Sequence, residues 1–309
     1  MELAIGVDIG GSHISCAAIN LENESILKET LAEGDVNNKA SADEILEVWS
    51  SVLNKTINMA GRENVKGIGF AMPGPFDYVR GVAMFERVEK YESLYGVNVA
   101  EHLQKNLKFN NGLPVRFMND ATAFAVGESW IGKGRFSERI VALTLGTGFG
   151  SAFIDKGFPV VNGSEVPENG CLWHVKYKNG IADDYISTRW FLKEYENKTG
   201  IRLKGVKELA NLFPQDEISK RLFQRYGENL GIILTPSLIS FHPEMIVIGG
   251  NIIGAYDLFA PALQEKIKNV GLNVEVALSE LKEDAAMIGA ARMIKVDYWN
   301  GIKSLLQYM

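Results

Sequence analysis

Three short glycine-rich segments each follow an apolar run and are candidates for binding phosphate. They are Gly10-Gly11-Ser12, Gly146-Thr147-Gly148-Phe149-Gly150 and Gly249-Gly250. Glycine lets the backbone approach a ligand closely, and successive N–H groups in such a turn attract an anion. Any hairpin needs glycines, so one segment alone is weak evidence. Three segments at strand ends, with Asp8 beside the first, favour a nucleotide site in which the third lies under the nucleoside.

Two familiar phosphate-binding motifs are excluded. Neither of the first two turns is followed by the Gly-Lys-Ser/Thr of a P-loop. Neither has the dinucleotide-binding fingerprint, because a strand pattern rather than a helix follows each turn.

The neighbouring sequence predicts the elements that hold these segments. Ser41 and Glu44 form a capping box that starts a helix ending at Gly61. Apolar periodicity predicts further strands and helices. The strands are Leu3–Ile9, 14–19, Val65–Met72, 115–118 and 245–248, and the helices are 121–131, 187–197, 217–239 and 283–292.

The opening strand, glycine reversal and second strand recur later in the chain. Residues 7–19 can be laid over residues 143–154 with one gap. A repeat on this scale predicts two similar lobes rather than a solenoid. Gly132, Gly134 and nearby charges interrupt the pattern, so we predict an N-terminal α/β lobe over residues 1–132 and a C-terminal α/β lobe over 133–309.

Taken in order, the motifs resemble those of the ROK family (repressors, open reading frames and sugar kinases). They are residues 8–12, Asn119-Asp120-Ala121, residues 145–150, residues 248–250 and the small-residue run 285–291. The resemblance covers nearly the whole chain. It implies an actin-like ATPase (ribonuclease H-like) α/β fold of two lobes, with a sugar bound in the cleft between them. The chain starts on the first phosphate-turn strand, without the family's N-terminal helix-turn-helix, so it resembles the kinase-type members.

The resemblance assigns roles to Asp120 and Asn119. Asp120 would act as general base, accepting the proton of a sugar hydroxyl as it attacks the γ-phosphoryl group, and Asn119 would bind the sugar. The structural alternative is a helix N-cap, for which Asn and Asp are common.

The remaining nucleotide contacts follow from the same resemblance. Asp8 would hold Mg²⁺, directly or through water, although a turn residue needs no ligand. Phosphate and ATP contacts are predicted at the three glycine segments. They comprise Gly10, Gly11, Ser12, Gly146, Thr147, Gly148, Gly150, Gly249 and Gly250.

On the sugar side the sequence departs from the family pattern. Pro73, Gly74 and His174 match sugar-pocket positions, but Cys171 stands where family kinases commonly carry a glutamate, and a thiol cannot replace paired carboxylate hydrogen bonds. Asp183 or Asp184 would supply the missing carboxylate, or else cap the following helix; we place Asp184 among the predicted sugar ligands.

Two further differences concern the zinc segment and the sugar loop. The family's cysteine-rich zinc segment is missing after His174, so we predict no structural zinc. Lys90-Tyr91 replaces a common Asn-Leu pair. The expected sugar specificity therefore differs from that of zinc-bearing glucokinases, or sugar binding is degraded.

Composition limits the class of protein. Of 309 residues, 46% are hydrophobic and 23% charged, which excludes a disordered chain, and the net charge of -6 argues against nucleic acid or an anionic membrane as partner. Cys16 and Cys171 are too few for a disulfide framework, as in a reducing cytosol. With no leader pattern and no apolar run near 20 residues, we expect a cytoplasmic protein.

The predicted function is ATP- and Mg²⁺-dependent phosphorylation of a hexose or hexose derivative. The resemblance further implies a homodimer. The alternative is a non-catalytic sugar- or nucleotide-binding sensor on the same fold. Cys171 and Lys90 favour the sensor, whereas an intact Asp120 argues for the kinase.

Overall fold

The computed structural model describes residues 1–107 and 112–309, which form two compact units. The first unit comprises residues 1–135, 157–159 and 283–309, and the second comprises 136–156 and 160–282. The chain passes from the first unit to the second at residues 135 and 136, three residues after the predicted boundary.

The predicted strands and helices are present to within a few residues, and the structure contains further elements that the sequence did not predict. The strands are β1 Leu3–Ile9, β2 His13–Asn20, β3 Ser25–Asp35, β4 Val65–Met72, β5 Phe76–Asp77, β6 Val82–Ala83, β7 Val115–Asn119, β8 Arg139–Leu145, β9 Phe149–Asp155, β10 Phe158–Pro159, β11 Lys176–Tyr177, β12 Gly180–Ile181, β13 Met245–Gly249 and β14 Glu275–Leu278. The α-helices are α1 Ala42–Ala60, α2 Val99–Leu107, α3 Asp120–Trp130, α4 Thr188–Thr199, α5 Val206–Leu212, α6 Glu217–Phe241, α7 Tyr256–Lys268, α8 Asp284–Arg292 and α9 Val296–Ile302. The predicted capping box is present at the start of α1, where Ser41 and Glu44 bond each other's backbone N–H groups.

The first unit is built on a five-stranded sheet of order β3-β2-β1-β4-β7. β1, β2 and β3 are antiparallel neighbours, whereas β4 and β7 run parallel to β1. β1, β2 and β4 are buried almost throughout, as their continuous apolar sequences predict.

The second unit repeats this arrangement. β8 and β9 form an antiparallel hairpin, and β13 and then β14 extend the sheet in parallel on the other side of β8. The local order β9-β8-β13 thus matches β2-β1-β4. α6 and α7 pack against each other and supply buried side chains to this unit's core. The predicted repeat of a strand, a glycine turn and a second strand is therefore present in both units.

The C-terminal helix lies in the first unit, whereas the sequence placed residues 283–309 in a second lobe. α8 packs on α3 and on strands β1 and β4. Contact is close enough that a Cβ on Gly6 would lie 2.0 Å from the carbonyl oxygen of Met287, and one on Gly289 would lie 1.8 Å from that of Ala123. Small residues on both surfaces therefore let the backbones touch, which assigns α8 to this sheet.

No helix in the described ranges 1–107 and 112–309 is both long and apolar enough to cross a lipid bilayer.

Candidate functional site

The first unit brings three sequence-predicted segments to one edge of its sheet. In the parallel strands, Asp8 is paired with Ala71, and Met72 with Asn119. The carboxyl ends of β1, β4 and β7 therefore lie side by side, and ligands of open α/β sheets bind outside such ends. This edge of the sheet therefore holds Asp8, the loop that begins at Pro73 and the Asn119-Asp120 pair.

The first glycine turn is fixed through its carbonyl oxygens. Gly10 accepts a hydrogen bond from the Tyr91 hydroxyl at 2.8 Å, Gly11 accepts one from the Asn38 side-chain amide, and Ser12 accepts one from the Val36 N–H at 2.8 Å.

The N–H side of the same turn is left for a ligand. None of the described residues accepts a hydrogen bond from the N–H groups of Gly11 and Ser12. A Cβ built on Gly11 would meet nothing within 4 Å, whereas one on Gly10 would collide with the His13 ring. The turn is therefore a rigid cradle with free donors on its open side, which fits a phosphate group.

Three carboxylates of the first unit repel one another around Asp8. Burial raises the pKa of Asp8 to about 7, and the negative charges of Asp120 and Glu283 add to this effect. Carboxylate oxygens are the ligands that Mg²⁺ prefers, so the chemistry of the Asp8 side chain fits the predicted ion. Across the described residues no three His, Cys, Asp or Glu side chains are arranged to hold a metal ion by themselves. Such an ion would therefore take its other ligands from phosphate and water.

The Asn119-Asp120 pair lies at the start of α3, where Asn119 takes the capping role that the sequence offered as the structural alternative. Asn119 is the N-cap of α3, and its side-chain oxygen accepts from the Thr122 N–H at 3.1 Å. Asp120, the first residue of the helix, is only half-buried, and one carboxylate oxygen accepts from the N–H of Ala121 at 2.8 Å. Capping therefore occupies Asn119 and leaves the second carboxylate oxygen of Asp120 for other chemistry.

The predicted sugar loop is tied to the same strand ends. Tyr78 donates from its hydroxyl to the carbonyl oxygen of Met72 at 3.0 Å, and the Asn119 amide lies 3.4 Å from that hydroxyl. Pro73 and Gly74 follow Met72 directly. A side chain on Gly74 would touch only the Tyr78 hydroxyl, so the loop surface there is open.

The second glycine turn, in the second unit, joins β8 to β9. The carbonyl oxygen of Gly146 accepts two hydrogen bonds from Thr188, one from its N–H at 2.9 Å and one from its hydroxyl at 3.0 Å. The Phe149 N–H donates to Asp183 at 2.7 Å. None of the described groups accepts from the N–H of Thr147 or Gly148. The second turn is therefore held by hydrogen bonds to Thr188 and Asp183, and its remaining N–H groups are available to a ligand.

The third glycine segment lies against the second turn. Gly249 is paired with Thr144 of β8. Gly250 has a φ of 87°, and a Cβ there would lie 2.4 Å from the carbonyl oxygen of Leu145. Only glycine fits this position. The structure thus brings together the two segments predicted to bind phosphate and nucleoside. Residues 251–255 continue as a 3-10 helix before α7.

The predicted sugar segment of the second unit is partly exposed. The Cys171 sulfur lies 3.5 Å from Nδ1 of His174, and burial raises the pKa of the thiol to about 11. Cys171 is therefore a neutral, weak hydrogen-bonding neighbour of the histidine. Trp173 is 49% exposed and lies edge-on to His174, so it does not fill the core.

The two candidate carboxylates after this segment are both engaged locally. Asp184 is exposed, and one oxygen accepts from the Ile181 N–H at 2.9 Å, closing the 3-10 turn Ala182–Asp184. Asp183 bonds the second glycine turn. The role of Asp184 as a sugar ligand therefore stays a prediction.

Sequence reasoning did not assign the observed roles of three residues at these sites. Tyr91 and Asp183 reach the glycine turns from 81 and 34 residues away, and Glu283 adds a charge beside Asp8 from the C-terminal segment. The sequence interprets the Lys90-Tyr91 departure as a change near the sugar, whereas in the structure Tyr91 is buried and donates to the first turn. No local pattern marks such long-range partners.

Known proteins resemble this chain in sequence and in fold. The ROK family model matches residues 4–296. The chain is 29% identical over 321 residues to a glucokinase of Thermotoga maritima, covering 94% of this chain and 96% of that one. It is 28% identical over 288 residues to an N-acetyl-D-glucosamine kinase of Haemophilus influenzae, covering 85% and 88%. The crystal structure of a Streptomyces griseus ROK family glucokinase with glucose and AMPPNP superposes with a TM-score of 0.71 at 21% identity, over 94% and 98%.

The two repeated α/β units with glycine turns define a protein of the actin-like ATPase fold, as predicted. Within that class, the chain belongs to the ROK family.

Proposed function

We propose that this chain is an ATP-dependent sugar kinase that transfers the γ-phosphoryl group of ATP to a hydroxyl of a hexose or hexose derivative. The observation that carries the proposal is the pair of glycine turns, each held by hydrogen bonds to other residues of its unit and each with N–H donors that none of the described residues accepts. Full-length similarity to a glucokinase and to an N-acetyl-D-glucosamine kinase supports the sugar as acceptor.

Asp120 is the proposed general base. Its unused carboxylate oxygen would accept the proton as the sugar oxygen forms its bond to the γ-phosphorus and the bond to the β,γ-bridging oxygen breaks, with ADP leaving. Phosphoryl transfer asks the protein mainly for positioning and charge stabilisation, and one carboxylate suffices for the proton. Asn119, already oriented as an N-cap, would present its amide to the sugar together with Pro73, Gly74, His174 and Asp184.

The glycine segments would position the nucleotide. Gly10, Gly11 and Ser12 would contact phosphate from the first unit. The second unit would contribute Gly146, Thr147, Gly148 and Gly150 to phosphate, and Gly249 with Gly250 to the nucleoside. Hydrogen-bond donors whose positions are already fixed need not reorganise when a ligand binds. A turn that is held by hydrogen bonds to the rest of its unit is therefore suited to stabilising a charged transition state.

Asp8 would hold Mg²⁺, directly or through water. When bound, the ion would neutralise charge on the transferring phosphates. Relief of the repulsion that raises the pKa of Asp8 would favour its binding there. We further propose that the protein acts without zinc, as a cytoplasmic homodimer that needs neither nucleic acid nor a membrane.

The test is ATP consumption, followed as ADP release, across a panel of hexoses and aminohexoses with Mg²⁺. The proposal expects a rate that depends on one class of sugar and is absent without sugar. Asp120→Asn should lose most of this rate. Asp297→Asn is the matched control, because Asp297 also lies in the first turn of a helix of the first unit and is exposed. ATP binding with no sugar-dependent turnover on any panel member would instead support the non-catalytic sensor.

A further inference from the structure

The second glycine turn is attached to the protein at both of its ends by one short segment. Residues 182–189 follow the predicted sugar segment and lead into α4. Thr188 bonds the start of the turn, through Gly146, and Asp183 bonds its end, through Phe149. The turn cannot shift without breaking one of these contacts.

Both carboxylate oxygens of Asp183 accept hydrogen bonds. One oxygen accepts the Phe149 N–H at 2.7 Å, and the other accepts from the Arg189 guanidinium at 2.5 Å. The Asp183 N–H donates to the carbonyl oxygen of Trp173 at 3.0 Å. A Cβ on Gly148 would lie 3.2 Å from the first oxygen, so glycine lets the carboxylate sit directly behind the turn.

The Phe149 N–H would otherwise compete for the role of anion donor. With this N–H directed at Asp183, the free donors of the turn are those of Thr147 and Gly148. By accepting the Phe149 N–H, the Asp183 carboxylate determines which N–H groups of the turn remain available to a ligand. Short hydrogen bonds to an ionised acceptor are about twice as strong as neutral ones.

We propose that Asp183 is a positioning residue for the second phosphate turn. This inference rests on the proposed function, since it assumes that the turn binds the phosphates of ATP. Arg189 holds the carboxylate in place, but this pair is exposed at the guanidinium, so it contributes little by itself. The hydrogen bond to Phe149 is the contact that matters.

The test is the affinity for MgATP, measured by calorimetric titration without sugar, for the wild type and four variants. Asp183→Ala removes the acceptor and is expected to weaken binding about tenfold, which corresponds to about 1.4 kcal/mol. Asp183→Asn keeps an oxygen that accepts the Phe149 N–H, and it is expected to bind within about threefold of wild type. Arg189→Gln is expected to change binding less than about threefold. Glu196→Gln is the matched control, because it removes an exposed ion pair between Glu196 of α4 and Arg202.

Each outcome is decisive. Loss of affinity in Asp183→Ala with rescue in Asp183→Asn supports the positioning role, because a general packing defect would not distinguish these variants. Unchanged affinity in Asp183→Ala, or an effect confined to the KM for sugar in turnover, overturns it. Equal weakening in both Asp183 variants also overturns it. A wild-type protein that fails to bind MgATP would refute the proposed function itself, which separates the two failures.

Discussion

Replacing Asp8 by Asn should stabilise the folded protein at high pH in the absence of divalent cations. Burial and the charges of Asp120 and Glu283 raise the pKa of Asp8 to about 7 from its ordinary value of 3.8. The folded state therefore binds more protons than the unfolded state between these two values, and the free energy of unfolding falls as pH rises through this window. Stability from protonated Asp8 is complete below 3.8 and lost above about 7.

The size of the effect follows from the same values. Each factor of ten in the acid constant is worth about 1.4 kcal/mol, so the full difference corresponds to about 4 kcal/mol. Because the Asp8 side chain keeps partial access to solvent, we expect about half of this, roughly 2 kcal/mol. Asn at this position has no proton to lose and removes the dependence.

The assay is urea unfolding in EDTA at pH 4, 6 and 8 for wild type, Asp8→Asn and the exposed control Asp297→Asn. The gain of Asp8→Asn over wild type should be near zero at pH 4 and about 2 kcal/mol at pH 8. Saturating Mg²⁺ should stabilise the wild type at pH 8 more than the variant, because the ion neutralises the same charges. A gain of equal size at all three pH values would refute the electrostatic reasoning, and so would a loss of stability at pH 8.

Two further predictions concern packing and the first glycine turn. Gly289→Ala should lower the free energy of unfolding by about 1–3 kcal/mol, because its methyl group would overlap the Ala123 carbonyl oxygen. Urea unfolding measures this effect, with Gly254→Ala as the control, since a Cβ on Gly254 would meet nothing within 4 Å. Equal effects of the two substitutions would contradict the close contact. Tyr91→Phe removes the hydroxyl that donates to Gly10 and should weaken MgATP binding several-fold. Calorimetric titration measures the affinity, and Tyr95→Phe is the control, because Tyr95 is exposed and its substitution should change nothing. An unaltered affinity in Tyr91→Phe would show that the turn holds its shape without this hydrogen bond.

Features with a local cause were predicted well from the sequence. The capping box at Ser41 and Glu44 and the apolar runs of β1 and β4 determine their own structure, so their bounds are reproduced. The glycine turns were located for the same reason, since an apolar strand on each side and glycines between them leave little choice of conformation.

Features that depend on distant partners were not. β3 was missed because its half-exposed, mixed sequence from Ser25 to Asp35 has no clear period of two. The small-residue pattern of α8 predicts a helix. It does not indicate which sheet carries the glycines against which this helix packs. Likewise, Asp183 looks like a helix cap or a sugar ligand in sequence, and only the fold shows that its carboxylate faces Phe149.

The central claim is that Asp120 takes the proton of the sugar hydroxyl, and its most direct test is steady-state kinetics of Asp120→Asn with the best sugar of the panel. The account predicts that kcat falls by a factor of about 10²–10⁴ while the affinity for MgATP changes less than about threefold, because the amide keeps the helix contact to Ala121 but cannot accept the proton. A kcat within about threefold of wild type, with phosphorylated sugar still formed, would contradict it.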